Sequence, residues 1–111
     1  DTGSVADAGM LEMYGRLARR PGQVAAAIAM MASWDLKPLV RDLLALGPPL
    51  TLVVGGRDRA IRPTEARRVQ ALLPSARIVE IPRLGHLAHE EQPAEIAALI
   101  LSRAQPHDAF P

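Results

Sequence analysis

A chain of 111 residues with 49% hydrophobic residues is long enough to build one small core, and the absence of cysteine excludes disulfides and thiolate metal sites. Its 13 basic and 12 acidic residues are interspersed, which argues against a continuous basic surface for nucleic acid. The sequence has no secretory signal pattern and no run of the ~20 apolar residues that a membrane-spanning helix needs, so we expect a cytoplasmic protein without a membrane span.

Apolar side chains at helical spacing dominate the first 46 residues. Helix breakers divide this region, with Pro21-Gly22 after the first periodic stretch and Gly47-Pro48-Pro49 after the last. Asp35 stands just before the third stretch, where a capping side chain is favourable. We therefore predict a polar loop over residues 1–9, followed by helices over Met10–Arg20, Gln23–Ser33 and Leu36–Leu46.

The second half of the chain alternates strand and helix signals. Leu50–Val54 is apolar at nearly every position, as in a parallel strand that is covered on both faces, and Arg77–Ile81 predicts a second, more exposed strand. Pro63 and Pro93 are favourable first residues for the helices that follow the strands, which we expect to extend to Leu73 and Arg103. Two strands leave their sheet edges unpaired, so we expect this region to be the end of a larger sheet.

An acid and a histidine follow the two predicted strands. Asp58 lies four residues past the first strand, and His86 lies five residues past the second. If the strands are parallel neighbours, both side chains emerge at the same edge of the sheet, where they predict two members of a nucleophile–base–acid triad. The alternatives are a turn acid paired with Arg57 or Arg59 and a loop histidine bonded to backbone.

The motifs after the strands, GGRDRAIRP and LGHLAHEEQP, resemble the C-terminal part of the α/β-hydrolase fold. The strings TGSVADAG, MMASWDL and GHLAHEE are similar to the magnesium-chelatase-associated α/β-hydrolases of bacteriochlorophyll biosynthesis. This resemblance implies an α/β fold with Asp58 as the triad acid and His86 as the triad histidine. It divides the chain into the end of a cap with the helix leading into the sheet (1–46), the last βαβα of the core (47–104) and a loose tail (105–111).

A nucleophile is missing from the residues that resemble this family. The sequence contains no G-x-S-x-G motif, and its four serines lack the strand-to-helix setting that such a nucleophile requires. We expect a fragment that is inactive alone, with the nucleophile and the oxyanion-hole segment upstream of residue 1. The chemistry implied for the complete protein is acyl transfer from a serine to water, which needs no metal and no organic cofactor.

Two further groups of residues are candidate binding or structural elements. Met30, Met31 and Trp34 are candidates to line a pocket for a large apolar ligand, because methionines adapt to irregular shapes; ordinary packing of the cap on the sheet is the alternative. His89 is followed by two glutamates in an order that differs from the zinc motif H-E-x-x-H. We expect no metal site there and interpret the segment as a structural loop before Pro93.

The resemblance implies an accessory role in magnesium insertion into protoporphyrin. The implied substrate is a small apolar molecule or ester, such as a porphyrin intermediate, and magnesium chelatase is the candidate partner. Two alternatives remain open: another hydrolase of this fold, such as an esterase, a lactonase or a dehalogenase, and a non-catalytic binding protein. The two loops do not separate these alternatives, because the nucleophile that distinguishes them, serine or aspartate, is absent from the sequence.

Overall fold

The computed structural model describes residues 1–104, and side chains up to Arg103. The loose tail predicted over 105–111 lies outside these residues. The described chain forms six helices and two strands. They are α1 (Ala8–Ala18), α2 (Gln23–Ala32), α3 (Leu39–Leu44), β1 (Thr51–Gly55), α4 (Pro63–Leu72), β2 (Arg77–Ile81), α5 (Ala88–Glu91) and α6 (Pro93–Ala104).

The two strands pair in parallel, with Thr51 opposite Arg77 at one end and Gly55 opposite Ile81 at the other. Helix α4 makes the crossover that parallel neighbours require. Both strands therefore end at the same edge of the sheet, where the loops that carry the acid and the histidine begin. The predicted α/β class and the βαβα order are confirmed.

The first helix begins two residues earlier than predicted, because Asp7 caps it. The Oδ1 of Asp7 accepts a hydrogen bond from the backbone N–H of Met10 at 2.8 Å, which satisfies one of the free amides of the first turn. The sequence prediction placed these residues in the preceding loop. The helix also ends two residues earlier than predicted, at Ala18, so it keeps the predicted length and is shifted toward the cap at Asp7.

The third helix is shorter than predicted, and Asp35 does not cap it. The Oδ1 of Asp35 accepts instead from the backbone N–H of Lys37 at 3.0 Å, within a turn. Pro38 follows and disfavours helical geometry in the residue before it, so α3 begins only at Leu39. The predicted range Leu36–Leu46 was wrong at both ends.

The segment after His86 is a single helical turn, whereas the sequence predicted a loop. The backbone amides of Glu90 and Glu91 both donate to the carbonyl oxygen of Leu87, at 2.8 and 2.9 Å. This turn, α5, leads directly into α6. It places the carboxylate of Glu91 within hydrogen-bonding distance of the backbone N–H of Gly85, the residue before the histidine.

The core of the described residues is small and lies at the carboxyl end of the sheet. Ile81, Leu84 and Ile96 form its buried cluster, with Ala88 and Leu99 packed against it. The apolar residues of α2 remain largely exposed, including Val24 and Ile28. No helix in residues 1–104 combines the length and apolar character that a membrane crossing requires.

The chain exposes more surface than a compact protein of its size. Its accessible surface is 8739 Å², against about 6,000 Å² for a folded monomer of this mass. Its radius of gyration is 16.9 Å, against about 13 Å for a compact chain of this length. The hydrophobic burial that would offset the entropy of folding is therefore incomplete.

We expect residues 1–111 expressed alone to be marginally folded or unfolded as a monomer, because apolar residues on both the sheet and the helices lack neighbours. Differential scanning calorimetry, with the association state checked by ultracentrifugation, measures this. The expected trace has a broad, weak transition. A sharp cooperative transition of a monomer would contradict the prediction.

Candidate active site

The loop after β1 presents Asp58 through a tight turn. Strand β1 ends at Gly55, whose carbonyl oxygen accepts from the backbone N–H of Asp58 at 3.0 Å. The neighbouring amide of Arg57 donates to the carbonyl oxygen of Leu84 at 2.9 Å. The loop that carries the acid is thus bonded directly to the loop that follows β2.

Glycine at position 55 allows the two loops to touch. A Cβ at Gly55 would lie 2.2 Å from the carbonyl oxygen of Gly85, far inside van der Waals contact. Any larger residue would push the two backbones apart. The direct backbone contact explains how a short acid side chain and the neighbouring histidine come within hydrogen-bonding distance.

Asp58 and His86 are hydrogen-bonded to each other. The Oδ2 of Asp58 lies 2.9 Å from Nδ1 of His86, and their side chains are 10% and 35% exposed, respectively. A carboxylate can only accept hydrogen bonds, so the partner nitrogen Nδ1 carries a proton. In the neutral imidazole this leaves Nε2 as a proton acceptor.

The other oxygen of Asp58 is held by its own loop. Its Oδ1 accepts from the backbone amides of Ala60 at 2.9 Å and Ile61 at 2.8 Å. Burial pushes the pKa of Asp58 upward, but the hydrogen bonds from His86, Ile61 and Ala60 and the charge of His86 outweigh burial and lower the pKa below its usual value. Asp58 is therefore ionised at neutral pH, with each oxygen committed to a separate task.

The alternative partners of Asp58 are engaged elsewhere. Arg57 donates from Nη1 to the carbonyl oxygen of Arg83 at 3.4 Å, and Arg59 pairs with Asp1. Neither arginine forms an ion pair with Asp58 among the described residues. The acid is thus directed to the histidine rather than to a neighbouring cation.

The first segment of the chain (residues 1–6) contacts both loops. The carbonyl oxygen of Thr2 accepts from the backbone amides of Arg59 and His86, both at 3.2 Å. The Oγ of Ser4 accepts from the backbone N–H of Leu87 at 2.8 Å. The sequence predicted only a polar loop here, and no local pattern indicates contacts between residues more than 80 positions apart.

A cleft of about 340 Å³ opens beside the acid and the histidine. Its lining is mostly apolar and includes Val54, Ile61, Ala66 and Ile96, together with the polar residues Asp58, His86 and His89. Apolar walls with a few convergent polar groups are typical of small-molecule sites.

Met30, Met31 and Trp34 do not line this cleft. All three side chains are exposed on α2 and the corner that follows it, with Trp34 58% exposed. The structure therefore neither brings them to the acid–histidine pair nor packs them into a core. Their predicted role in a pocket stays a prediction.

His89 and Glu90 make contacts of a different kind. The Nε2 of His89 lies 3.6 Å from Oε1 of Glu90, which also accepts from the hydroxyl of Tyr14 at 2.6 Å. That hydrogen bond, with burial and the charge of Glu90, raises the pKa of Tyr14. The hydrogen bond between Tyr14 and Glu90 therefore links α1 to α5. Residues 1–104 contain no group of three or more potential metal-binding side chains.

None of the four serines in the sequence is bonded to His86. Ser33 and Ser102 donate to carbonyl oxygens of their own helices, those of Met30 and Leu99. Ser4 contacts the backbone of Leu87 instead of an imidazole nitrogen. The described residues thus bring together an acid and a histidine but no nucleophile.

Comparison with known proteins identifies the family. The family model described as "Alpha/beta hydrolase family" matches residues 3–99. Since this match spans most of the chain, the protein belongs to the alpha/beta hydrolase family, as its motifs and its α/β fold predicted.

Two kinds of protein within this family are similar to the chain in sequence. The chain is 35% identical over 100 residues to the magnesium-chelatase 30 kDa subunit of Rhodobacter capsulatus, a match that covers 90% of this chain and 35% of the relative. It is 37% identical over 90 residues to haloalkane dehalogenase 2 of Mycobacterium tuberculosis (strain H37Rv) and of Mycobacterium bovis, covering 78% of this chain and 30% of each relative. The chain thus spans about a third of the length of these relatives.

We expect Asp58→Asn to reverse the tautomer of His86. The amide oxygen of Asn would stay with the backbone N–H groups of Ala60 and Ile61, so its NH₂ would face Nδ1 and force the proton onto Nε2. The position of the imidazole proton is measured by nitrogen-15 spectra of the complete protein. By complete protein we mean the product of the full coding sequence that contains these residues. Asp42→Asn, at a surface pair with Arg41, is the matched control; an unchanged Nδ1–H tautomer in Asp58→Asn would contradict the assignment.

The pH dependence of stability provides a second test. The pKa of Asp58 is lowered from 3.8 in the folded state, so its contribution to the free energy of unfolding is present above that value and lost as pH falls through the lowered one. Protonated Asp58 then resembles asparagine. The stability difference between the wild-type complete protein and Asp58→Asn should be smaller at about pH 3 than at about pH 5. Urea titrations measure it, and a constant difference would contradict the pKa assignment.

Proposed function

We propose that Asp58 and His86 are the acid and the base of a catalytic triad in an α/β-fold hydrolase. The observation that carries this proposal is the 2.9 Å hydrogen bond between Asp58 Oδ2 and His86 Nδ1. It fixes the imidazole in the tautomer that a general base needs, with Nε2 unprotonated. The apolar cleft beside the pair supports the same conclusion, since it offers room for a substrate.

The proposed mechanism assigns each atom one task. His86 Nε2 takes the proton of the nucleophile as it attacks the substrate carbonyl, and later returns that proton to the leaving group. Asp58 Oδ2 holds the imidazole ring and stabilises its cationic form, while Oδ1 stays bonded to Ala60 and Ile61. A water molecule activated by the same histidine then releases the acyl group.

The chain supplies two of the three triad members in this proposal. We infer that the nucleophile and the oxyanion hole come from a part of the complete protein that precedes Asp1, as the fold order of the family implies. Residues 1–46 would be the end of a cap and its connection to the sheet, and 47–104 the last βαβα of the core. Exposed apolar surface on β1, such as Val53, supports this division. The chain alone would then be inactive.

The finer proposal concerns the biological reaction. We propose that the complete protein is a cytoplasmic accessory of magnesium insertion in bacteriochlorophyll biosynthesis, with magnesium chelatase as a partner. Its support is the similarity to a relative named as a magnesium-chelatase subunit. The substrate would be a small apolar molecule or ester, such as a porphyrin intermediate, with Met30, Met31 and Trp34 as contacts. A serine mechanism of this kind requires no metal or organic cofactor.

A second candidate is a dehalogenase of the same fold. The similarity to haloalkane dehalogenase 2 at 37% identity supports it, and the apolar lining of the cleft suits a haloalkane as well as an ester. The two functions differ in the nucleophile, which would be aspartate in place of serine. A non-catalytic binding protein is the third reading, and it requires no reaction at His86.

Serine-directed fluorophosphonate labelling of the complete protein tests the proposal. We expect one labelled serine in a G-x-S-x-G motif, and a loss of labelling rate on the order of 10⁴-fold or more in His86→Ala, as for a missing triad base. Asp42→Asn is the control, because Asp42 forms an exposed pair with Arg41 and does not line the cleft. Labelling that persists in His86→Ala would contradict the role of the base.

The alternatives give distinct results in the same preparation. Halide release from a haloalkane without fluorophosphonate labelling would overturn the serine mechanism in favour of the dehalogenase. Neither activity, together with saturable porphyrin binding that is retained in His86→Ala, would overturn both in favour of a binding protein. Stimulation of magnesium insertion by purified chelatase subunits tests the accessory role separately.

A further inference from the structure

A carboxylate outside the acid–histidine pair lies between the first segment and the loop of His86. The Oε1 of Glu91 accepts from the backbone N–H of Gly85 at 2.8 Å, and its Oε2 accepts from the backbone N–H of Val5 at 3.1 Å. One oxygen thus binds the residue before the histidine, and the other binds a residue 86 positions away in the sequence. The side chain thus bridges two segments that are distant in the sequence.

Glu91 is ionised in this position. Burial pushes its pKa upward, but hydrogen bonds from the amides of Val5 and Gly85 and from the Ser4 side chain, with the charge of Arg57, outweigh burial and lower the pKa below its usual value. Glu90 is the adjacent acid and is directed to Tyr14 instead. Glu91 therefore acts as a charged acceptor, which makes stronger hydrogen bonds than a neutral one.

Three consecutive backbone amides around the histidine have fixed acceptors. Gly85 N donates to Glu91, His86 N donates to the carbonyl oxygen of Thr2, and Leu87 N donates to Oγ of Ser4. Each acceptor belongs either to the first segment or to the carboxylate that holds that segment. The backbone of His86 is thus restrained on both sides by groups that Glu91 connects.

The backbone of the first segment packs closely against Gly85. A Cβ at Gly85 would lie 2.2 Å from the backbone nitrogen of Ser4, so the first segment packs directly against the backbone before the histidine. A shift of the first segment would therefore shift the histidine loop. Since the imidazole contacts Asp58 through a single hydrogen bond, small movements of this loop change that bond directly.

We propose that Glu91 is a positioning residue for His86: by binding Gly85 and Val5 together, it holds the imidazole in hydrogen-bonding geometry with Asp58. Glu91 forms no hydrogen bond with the imidazole or with Asp58, so it acts through the backbone. The proposal rests on the proposed triad for its catalytic consequence. Its structural consequence, the tautomer and the Asp58–His86 bond, can be measured without any activity.

The experiment compares Glu91→Ala and Glu91→Gln in the complete protein, with Glu65→Gln as the matched control. Glu65 is an acid on α4 whose carboxylate pairs with Arg68 and forms no hydrogen bond with either loop. Two quantities are measured: the Nδ1–H proton signal of His86, assigned by its loss in His86→Ala, and kcat and KM for an activated ester. Thermal unfolding shows whether each variant is folded.

We expect Glu91→Ala to lose or broaden the Nδ1–H signal and to lower kcat on the order of 100-fold with KM little changed, because a displaced base impairs the chemical step more than binding. Glu91→Gln keeps one acceptor oxygen but loses the charge. Its Nδ1–H signal and its kcat should therefore lie between those of the wild type and the alanine variant. Ser4→Ala should change both quantities in the same direction but less, since it removes the acceptor of Leu87 and one hydrogen bond to Glu91, while the bonds of Glu91 to Gly85 and Val5 remain. Glu65→Gln should match the wild type.

A folded Glu91→Ala that retains the Nδ1–H signal overturns the proposal, as does a fall in kcat that Glu65→Gln reproduces. If the alanine variant does not fold, Glu91→Gln decides, because it preserves the shape of the side chain; wild-type spectra and kcat in that variant overturn the proposal. Absence of ester hydrolysis in the wild type would refute the proposed function, and the imidazole spectra would still decide the role of Glu91.

Discussion

The contact between the backbones of Gly55 and Gly85 is the constraint on which the rest of the site depends. Parallel pairing of β1 and β2 brings the two loops to one sheet edge, and the absence of a Cβ at position 55 lets their backbones touch there. The Gly85 carbonyl oxygen lies only 2.2 Å from the position that a Cβ on residue 55 would occupy, so a larger residue would push the loops apart. The bond between Asp58 and His86 follows from this approach.

Around this contact, each oxygen of the two carboxylates, Asp58 and Glu91, has its own hydrogen-bond partners. One oxygen of Asp58 is bonded to its own loop and the other to the imidazole, and neither pairs with a neighbouring arginine in the described residues. The carboxylate of Glu91 performs a similar division between Val5 and Gly85. In the proposed triad, these fixed acceptors would hold the histidine ready as a proton acceptor before the substrate binds. Membership in the alpha/beta hydrolase family is consistent with this arrangement.

The sequence predicted the features that have local signals. Strand β2 was predicted over its observed range, α4 begins at the predicted Pro63, and the meeting of Asp58 with His86 follows from parallel strands that end together. Features that depend on distant contacts were not predictable in this way. The bonds of Thr2 and Ser4 to the histidine loop join residues more than 80 positions apart. The one-turn helix α5 has too few residues for a periodic pattern. Helix α3 starts late because Asp35 bonds to Lys37 within a turn and Pro38 disfavours helical geometry before it. A rule that considers only the capping residue does not predict this.

A crystal structure of the complete protein with a fluorophosphonate bound would test the central claim most directly. The proposed triad predicts a phosphorylated serine whose Oγ or phosphoryl oxygen lies within hydrogen-bonding distance of Nε2 of His86, with Nδ1 still bonded to Asp58. A phosphorylated residue distant from His86, or an Nε2 atom that faces away from the modified side chain, would contradict it.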